Sequence, residues 1–140
     1  MGIEIPQNKF LILDGAMGTV LQQRGLSPQG RPELLDPVYK EYIAAGSQVI
    51  YANTFGANGL KLAKTGHSVE EVVGAAIAVA KKAAAGTGTL VALDVGPLGE
   101  LLEPMGTLSF ERAYDLFREM AEAGAKAGAD LIVVETMTDL

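Results

Sequence analysis

Four apolar runs recur along the chain, and each predicts a buried β-strand. None of them alternates polar with apolar positions, which is typical of strands covered on both faces, as in parallel sheets. Their starts, at residues 10, 48, 89 and 129, lie about 40 residues apart. The predicted strands are Phe10–Asp14, Gln48–Thr54, Thr89–Gly96 and Ala129–Thr136.

Helical patterns fill the intervals between these runs. Ser68 and Glu71 form an S-x-x-E capping box at the start of a predicted helix over Val69–Ala85. Its apolar stripe has helical spacing and comprises Val69, Val72, Val73, Ala76, Ile77 and Ala80. Ser109 precedes a second helix, Phe110–Ala127, with the predicted stripe Phe110, Tyr114, Phe117, Ala121 and Ala125. A shorter helix is expected at Pro37–Ala45, and Ala-Gly pairs at 45–46, 85–86 and 127–128 are typical of helix ends.

This alternation predicts an α/β fold with parallel strands and right-handed crossovers. A dinucleotide-binding sheet requires G-x-G-x-x-G after its first strand, but D-G-A-M-G-T stands there, and the chain has no phosphate-binding G-x-x-x-x-G-K-[ST] loop. Small and polar residues instead follow every run, which is where (βα)8 barrels carry their chemistry. We therefore predict a (βα)8 TIM-barrel type of fold. Four units make about half a barrel, since eight would need about 320 residues.

Composition narrows the possible partners. The chain has 17 acidic and 11 basic residues, a net charge of −6, which argues against binding nucleic acid or an anionic membrane surface. Its apolar runs fall short of the roughly 18 residues that a membrane span needs, and its start lacks a secretory pattern. Cysteine is absent, which fits a cytoplasmic protein and excludes disulfides and thiolate metal sites within the chain.

The residues at the strand ends carry a specific resemblance. In chain order they read LDGAMGT (13–19), ANTFGAN (52–58), DVGPLGE (94–100) and VETMTD (134–139), with PELL at 32–35. From residue 10 to the end, the chain resembles the homocysteine S-methyltransferase family, the module at the N-terminus of cobalamin-dependent methionine synthases.

The resemblance implies a barrel that binds homocysteine and holds its sulfur on zinc as a thiolate, a good nucleophile at neutral pH. In the synthases, that sulfur accepts a methyl group from methyltetrahydrofolate by way of cobalamin. By the same resemblance, Asp14 and Glu135 would face the ammonium group of homocysteine. Backbone amides around Gly15 and Ala16 would receive its carboxylate. The same mouth would also be lined by Asn53, Thr54 and Gly96.

The chain departs from the family in its metal ligands. The family's zinc ligands are cysteines of the second half of the barrel, and this chain has no cysteine. We therefore interpret residues 1–140 as the N-terminal half of a homocysteine-binding barrel and expect no catalytic residue, metal site or bound cofactor within it. The expected partners are homocysteine and either the rest of the barrel or a second copy of the chain. The region after the first strand is also shorter than is usual in the family.

Other interpretations remain open from the sequence. The chain could be a non-catalytic half-barrel scaffold that self-associates, or part of another barrel enzyme, such as a lyase that uses Asp14 and Glu135 as acid and base. Taken alone, Asp14 also fits a turn or a helix cap. His67 lies in a polar stretch and is expected to be a solvated loop residue, and Met17 and Met105 are expected to be packing groups.

Overall fold

The chain folds into an α/β unit in which helices alternate with the strands of a parallel sheet. The structure, a computed structural model, describes residues 10–27 and 31–138. None of the helices in these ranges is long and apolar enough to cross a lipid bilayer. In chain order the elements are α1 (Met17–Gln23), a 3-10 turn (Pro32–Leu34), α2 (Leu35–Ala44), β1 (Val49–Tyr51), α3 (Gly59–Leu62), α4 (Val69–Ala84), β2 (Leu90–Val95), α5 (Phe110–Ala127) and β3 (Leu131–Val134).

The sheet is parallel, and its strand order β1-β2-β3 follows the chain. Val49 pairs with Leu90, and Ala92 pairs with Leu131, so β2 lies in the middle. Each strand falls inside one of the predicted apolar runs and is shorter than that run. Because the strands are parallel, the carboxyl ends of all three lie at the same end of the sheet.

The predicted first strand, Phe10–Asp14, does not form as a strand, so the described sheet has three strands where the sequence predicts four. Only Leu13 makes a parallel bridge, to Val49. The Gln48 N–H donates to the Ile12 carbonyl at 2.8 Å, and the Asp14 N–H donates to the Val49 carbonyl at 3.0 Å. Phe10 is 98% exposed. The run lies at the edge beside a strand of only three residues, and without a covering layer its apolar side chains gain little from strand geometry.

The N-terminal caps of the two long helices are those predicted from the sequence. Ser68 Oγ accepts the Glu71 N–H at 3.2 Å, while Glu71 Oε2 accepts the Ser68 N–H at 2.9 Å, which completes the capping box of α4. Ser109 Oγ accepts the Arg112 N–H at 3.2 Å at the start of α5. Glycines at 46, 86 and 128 all adopt positive φ, the conformation that ends a helix and turns the chain toward the next strand.

The buried face of α5 differs from the predicted stripe. The buried residues of α5 are Ala113, Leu116, Met120, Ala123 and Gly124. Phe110 and Tyr114, from the predicted stripe, are 70% and 58% exposed. The reason is close packing on β2, since a Cβ added at Gly124 would lie 2.7 Å from Leu93 Cδ2. Small residues let α5 approach the sheet, and Phe110 and Tyr114 lie away from it, whereas Phe117 of the predicted stripe is partly buried and packs against the core.

The hydrophobic core lies between the sheet and the layer formed by α2, α4 and α5. Its centre combines Ile50, Val91 and Leu93 from the strands with Ile77 and Met120 from the helices. On β3, by contrast, Ile132 and Val134 are 50% and 61% exposed. Ile132 pairs with Leu93, so it faces the same side of the sheet as the core. No helix among the described residues follows β3 to cover that side.

An ion pair joins the helix layer to the amino end of the sheet. Asp130, just before β3, accepts hydrogen bonds through Oδ2 from Lys81 Nζ at 2.6 Å and from the Val91 N–H at 2.8 Å. One carboxylate therefore connects α4, β2 and the start of β3. It is half-buried, so its hydrogen bonds are less exposed to competition from water than those of a surface pair.

Candidate functional site

A cleft of about 470 Å³ opens at the carboxyl ends of the strands. Four segments build it: the residues before α1 with the first two residues of α1, the residues at and after the end of β1, the end of β2, and the residue after β3. Its lining consists of Leu13, Asp14, Gly15, Ala16, Met17, Gly18, Tyr51, Ala52, Asn53, Phe55, Asp94 and Glu135. This is the end of a parallel sheet at which barrel enzymes bind their substrates.

Asp14 is fixed by the end of β1. Its backbone N–H donates to the Val49 carbonyl, and its Oδ2 accepts the Tyr51 N–H at 3.1 Å. Burial raises the pKa of Asp14 to about 6, although the hydrogen bond from Tyr51 opposes the shift. The Asp14 carboxyl group therefore accepts the N–H that a backbone carbonyl would accept if the first strand continued.

Tyr42 of α2 holds the segment that follows Asp14. Its hydroxyl donates to the Ala16 carbonyl at 3.0 Å. A Cβ added at Gly15 would lie 2.9 Å from the Tyr42 hydroxyl oxygen. The absent side chain at Gly15 therefore makes room for Tyr42, while Gly15 and Ala16 themselves remain exposed in the cleft lining.

Asp94, on the central strand, is a second carboxyl group of the cleft and the most buried one. The residue is 7% exposed, and its Oδ1 has no hydrogen-bond partner among the described residues. Burial, together with the nearby carboxylate of Glu135, raises the pKa of Asp94 to about 7. Sequence reasoning noted Asp94 within DVGPLGE but did not count it as a site residue. The available signal was a lone acid at the carboxyl end of an otherwise apolar central strand.

Glu135 supplies the third carboxyl group. It follows β3 directly, and its N–H donates to the Val95 carbonyl at 3.1 Å, which extends the parallel pairing by one residue. Its side chain is exposed, as is that of Asn53 on the opposite side of Asp94 along the sheet. The structure thus brings together five of the residues predicted from the sequence: Asp14, Gly15, Ala16, Asn53 and Glu135.

The other two predicted residues, Thr54 and Gly96, lie behind the lining. Thr54 is fully buried, and its hydroxyl bonds to the backbone of Asp94. Gly96 faces Phe55, because an added Cβ would lie 2.5 Å from the Phe55 ring. Both residues support the wall of the cleft.

Phe55 is an aromatic residue of the lining that sequence reasoning missed. Its ring fills the space at Gly96 and lies below Lys61, whose Nζ is 5.4 Å from the ring centroid. Lys61 Nζ also donates to the Pro97 carbonyl at 3.0 Å. The ring therefore presents a fixed apolar surface beside three carboxyl groups.

The ionisable carboxyl groups give the cleft a negative character. Asp14, Asp94 and Glu135 line it, and the described lining includes no lysine, arginine or histidine. Burial and these three carboxylates also raise the pKa of Tyr51. Within residues 10–27 and 31–138, no group of three or more histidine, aspartate or glutamate side chains could hold a metal ion. The arrangement suits a small ligand with a cationic group and an apolar portion.

Comparison with known proteins assigns the family. The family model for homocysteine S-methyltransferase matches residues 11–140. The chain belongs to the homocysteine S-methyltransferase family.

Relatives within the family include long and short proteins. The chain is 28% identical over 159 residues to methionine synthase of Mycobacterium tuberculosis (strain H37Rv), covering 99% of this chain and 13% of the relative. It is 31% identical over 161 residues to homocysteine S-methyltransferase of Escherichia coli K12, covering 95% of this chain and 52% of the relative. Both alignments are longer than the 140 residues of the chain, so each relative carries residues in the matched region that this chain lacks.

Solved structures of the family share the fold. The oxidised form of the homocysteine methyltransferase MmuM from Escherichia coli matches with a TM-score of 0.81 and 29% identity, covering 95% of this chain and 55% of that one. The metallated form matches with a TM-score of 0.80 and 28% identity, covering 94% and 56%. The homocysteine S-methyltransferase fold seen here thus spans about half the length of those structures.

Proposed function

We propose that the cleft at the carboxyl ends of β1–β3 binds homocysteine as part of a methyltransferase that converts it to methionine. The observation that carries the proposal is the meeting of three carboxyl groups, without a cation, in a cleft of a chain that belongs to the homocysteine S-methyltransferase family. Homocysteine is a zwitterion with a short aliphatic arm. Its ammonium group complements the carboxyl groups, and its arm complements Met17 and Phe55 in the same lining.

In the proposed complex, Asp14 and Glu135 face the ammonium group. Ionised carboxylates form stronger hydrogen bonds with a cation than neutral acceptors do. The backbone amides around Gly15 and Ala16 face the ligand's carboxylate, since this segment is exposed in the lining and is held in place by Tyr42. Asn53 lies at the rim, where its amide can reach the same end of the ligand.

The zinc that the family uses does not fit the residues of this chain. The sequence has no cysteine, and the described residues contain no group of three or more potential metal ligands. We therefore propose that thiolate ligands for zinc come from outside these 140 residues, and that this chain contributes substrate binding. The methyl donor and any cobalamin would also act from outside the chain.

The residues 1–140 would then form the N-terminal half of a (βα)8 barrel. The match to only 55% of the MmuM chain and the uncovered side of β3 support this assignment. The side chains of Ile132 and Val134 would be covered by the rest of a barrel or by a second copy of the chain. A cytoplasmic location, inferred from the absence of cysteine, stays a prediction.

The meeting of Asp14, Asp94 and Glu135 in one cleft, with the pKa values of Asp14 and Asp94 raised to about 6 and 7, also favours a second candidate function. Carboxyl groups with a pKa near neutrality are suited to general acid–base catalysis. A barrel enzyme of the lyase type could use them to move protons. Such an enzyme would not require a thiol in its substrate.

Calorimetry on the full-length protein distinguishes the two. We expect L-homocysteine to bind, and 4-mercaptobutyrate, which is homocysteine without its amino group, to bind more weakly. A methyl-transfer assay with homocysteine should yield methionine when the zinc-bearing part is present. Failure of L-homocysteine to bind at millimolar concentration would overturn the proposal and leave the acid–base candidate.

A further inference from the structure

Asp94 is a cleft residue to which the family resemblance assigned no role. Its carboxyl group lines the cleft together with Asp14 and Glu135. The residue is more than nine-tenths buried, and its Oδ1 has no hydrogen-bond partner among the described residues. Buried polar atoms in folded proteins nearly always have partners, so a cleft-lining carboxyl group that keeps an enclosed, unpaired oxygen is a candidate contact for a ligand.

The position of Asp94 is fixed by its neighbours. It lies on the central strand, between the segment that carries Asp14 and the residue Glu135 after β3. Its carbonyl and its N–H both bond to the hydroxyl of Thr54, at 2.8 and 3.0 Å. The side chain therefore starts from a rigid backbone at the bottom of the cleft, which favours a defined contact over a mobile one.

An ammonium group can contact a third carboxyl group in addition to those of Asp14 and Glu135. It carries three N–H bonds that point in different directions. Asp14 already uses Oδ2 to accept the Tyr51 N–H. A third carboxyl group, on the strand between the other two, would let each N–H of the ammonium group contact a different carboxyl group.

We propose that Asp94 is a specificity residue whose carboxyl group contacts the substrate's ammonium group beside Asp14 and Glu135. This inference rests on the proposed function, because it takes homocysteine as the ligand. It deepens that function by assigning recognition of the amino group to the central strand as well as to the two flanking segments. Loss of Asp94 should therefore affect ligands with an amino group and spare those without one.

The test compares two ligands on two variants of the full-length protein by calorimetry. Asp94→Asn keeps the size of the side chain and removes its charge, and Asp115→Asn makes the same change on the exposed face of α5. We expect Asp94→Asn to weaken L-homocysteine binding by about tenfold or more and to change 4-mercaptobutyrate binding by less than about twofold. Asp115→Asn should leave both affinities unchanged.

Two results would overturn the inference. If Asp94→Asn weakens the binding of both ligands equally, Asp94 only supports the wall of the cleft. If it changes the affinity for neither ligand, Asp94 contacts neither of them. The proposed function would survive either result. If the wild-type protein does not bind L-homocysteine, both proposals fail together. Circular dichroism checks that Asp94→Asn folds, and Asp94→Ser makes the same comparison if it does not.

Discussion

Thr54 binds Asp94 through both of that residue's backbone polar groups. Thr54 Oγ1 donates to the Asp94 carbonyl at 2.8 Å and accepts the Asp94 N–H at 3.0 Å. Thr54 lies just after the end of β1, where the backbone no longer pairs regularly with β2. A side-chain hydroxyl thus continues the sheet and fixes the residue at the bottom of the cleft.

Thr54→Val should destabilise the protein by about 1–3 kcal/mol, because valine has the same shape but leaves the Asp94 N–H without its partner. Denaturant unfolding measures the change. Thr54→Ser is the matched control, since it keeps the hydroxyl, and it should lose less stability than the valine variant. Equal losses in the two variants would show that the methyl group, rather than the hydroxyl, matters.

Asp14→Asn should weaken L-homocysteine binding by about 1.5–3 kcal/mol, because the charge is lost while the amide oxygen can still accept the Tyr51 N–H. Calorimetry gives the affinity, and the surface variant Asp115→Asn serves as the reference. An unchanged affinity would assign Asp14 a purely structural role at the end of β1.

Gly96→Ala should disturb the wall of the cleft. The new Cβ would lie 2.5 Å from the Phe55 ring, so the ring must move, at a cost of about 1–3 kcal/mol in stability. Gly74→Ala on α4 is the control, since nothing lies within 4 Å of its added Cβ and alanine favours a helix by about 1 kcal/mol. Thermal unfolding should therefore shift in opposite directions for the two variants, and a shift of the same sign would contradict the packing argument.

The stability of the protein should fall as pH rises toward neutrality. The folded-state pKa values of Asp14 and Asp94, about 6 and 7, lie above the ordinary value of 3.8. Folding therefore favours the protonated carboxyl groups, and their contribution is complete below the ordinary pKa and is lost as pH rises through about 6 to 7.

Unfolding of wild type and Asp94→Asn between about pH 4 and pH 8 measures this loss. The asparagine variant should lose about 1–3 kcal/mol less than wild type over that range, because it has no charge to bury. Asp115→Asn should follow wild type. Parallel curves for wild type and Asp94→Asn would mean that folding does not raise the pKa of Asp94 above its ordinary value.

The uncovered side of β3 should make the 140-residue chain self-associate. Ile132 and Val134 face the side of the sheet that a helix covers elsewhere, and both are largely exposed. Light scattering at micromolar concentration should show a dimer. Joint replacement of Ile132 and Val134 by threonine should weaken it, whereas Lys82→Thr on α4 should not. A well-folded monomer would contradict this expectation.

Much of the fold could be predicted because local signals and packing agree. The cap of α4 at Ser68, its buried stripe and the glycine ends of the helices all follow from short-range chemistry. One predicted strand and the buried face of one correctly predicted helix were wrong, because packing decided both. The run at residues 10–14 has the composition of a strand but lacks a covering layer, and α5 leaves Phe110 and Tyr114 exposed because its small residues, Gly124 among them, pack on the sheet.

For the candidate site, too, residues marked by local sequence patterns could be predicted and residues placed by packing could not. Residues directly after strands, such as Asp14 and Glu135, could be found from the order of motifs along the chain, because parallel strands bring their carboxyl ends together. Asp94 lies inside a continuous apolar run, so its sequence context resembles that of a buried strand residue. The Phe55 ring fills the space that a side chain at Gly96 would need, and this contact between residues far apart in sequence leaves no local pattern.

The ion pair of Lys81 and Asp130 lies at the end of the sheet opposite the cleft. The distance between this ion pair and the cleft bears on how the protein can evolve. Three elements are fastened there by one carboxylate, far from any residue that a ligand would touch. Selection can therefore exchange residues at the rim for a new ligand while the anchoring of the scaffold stays intact. Changes around Asp130 would instead loosen the contact between α4, β2 and β3 without altering the cleft.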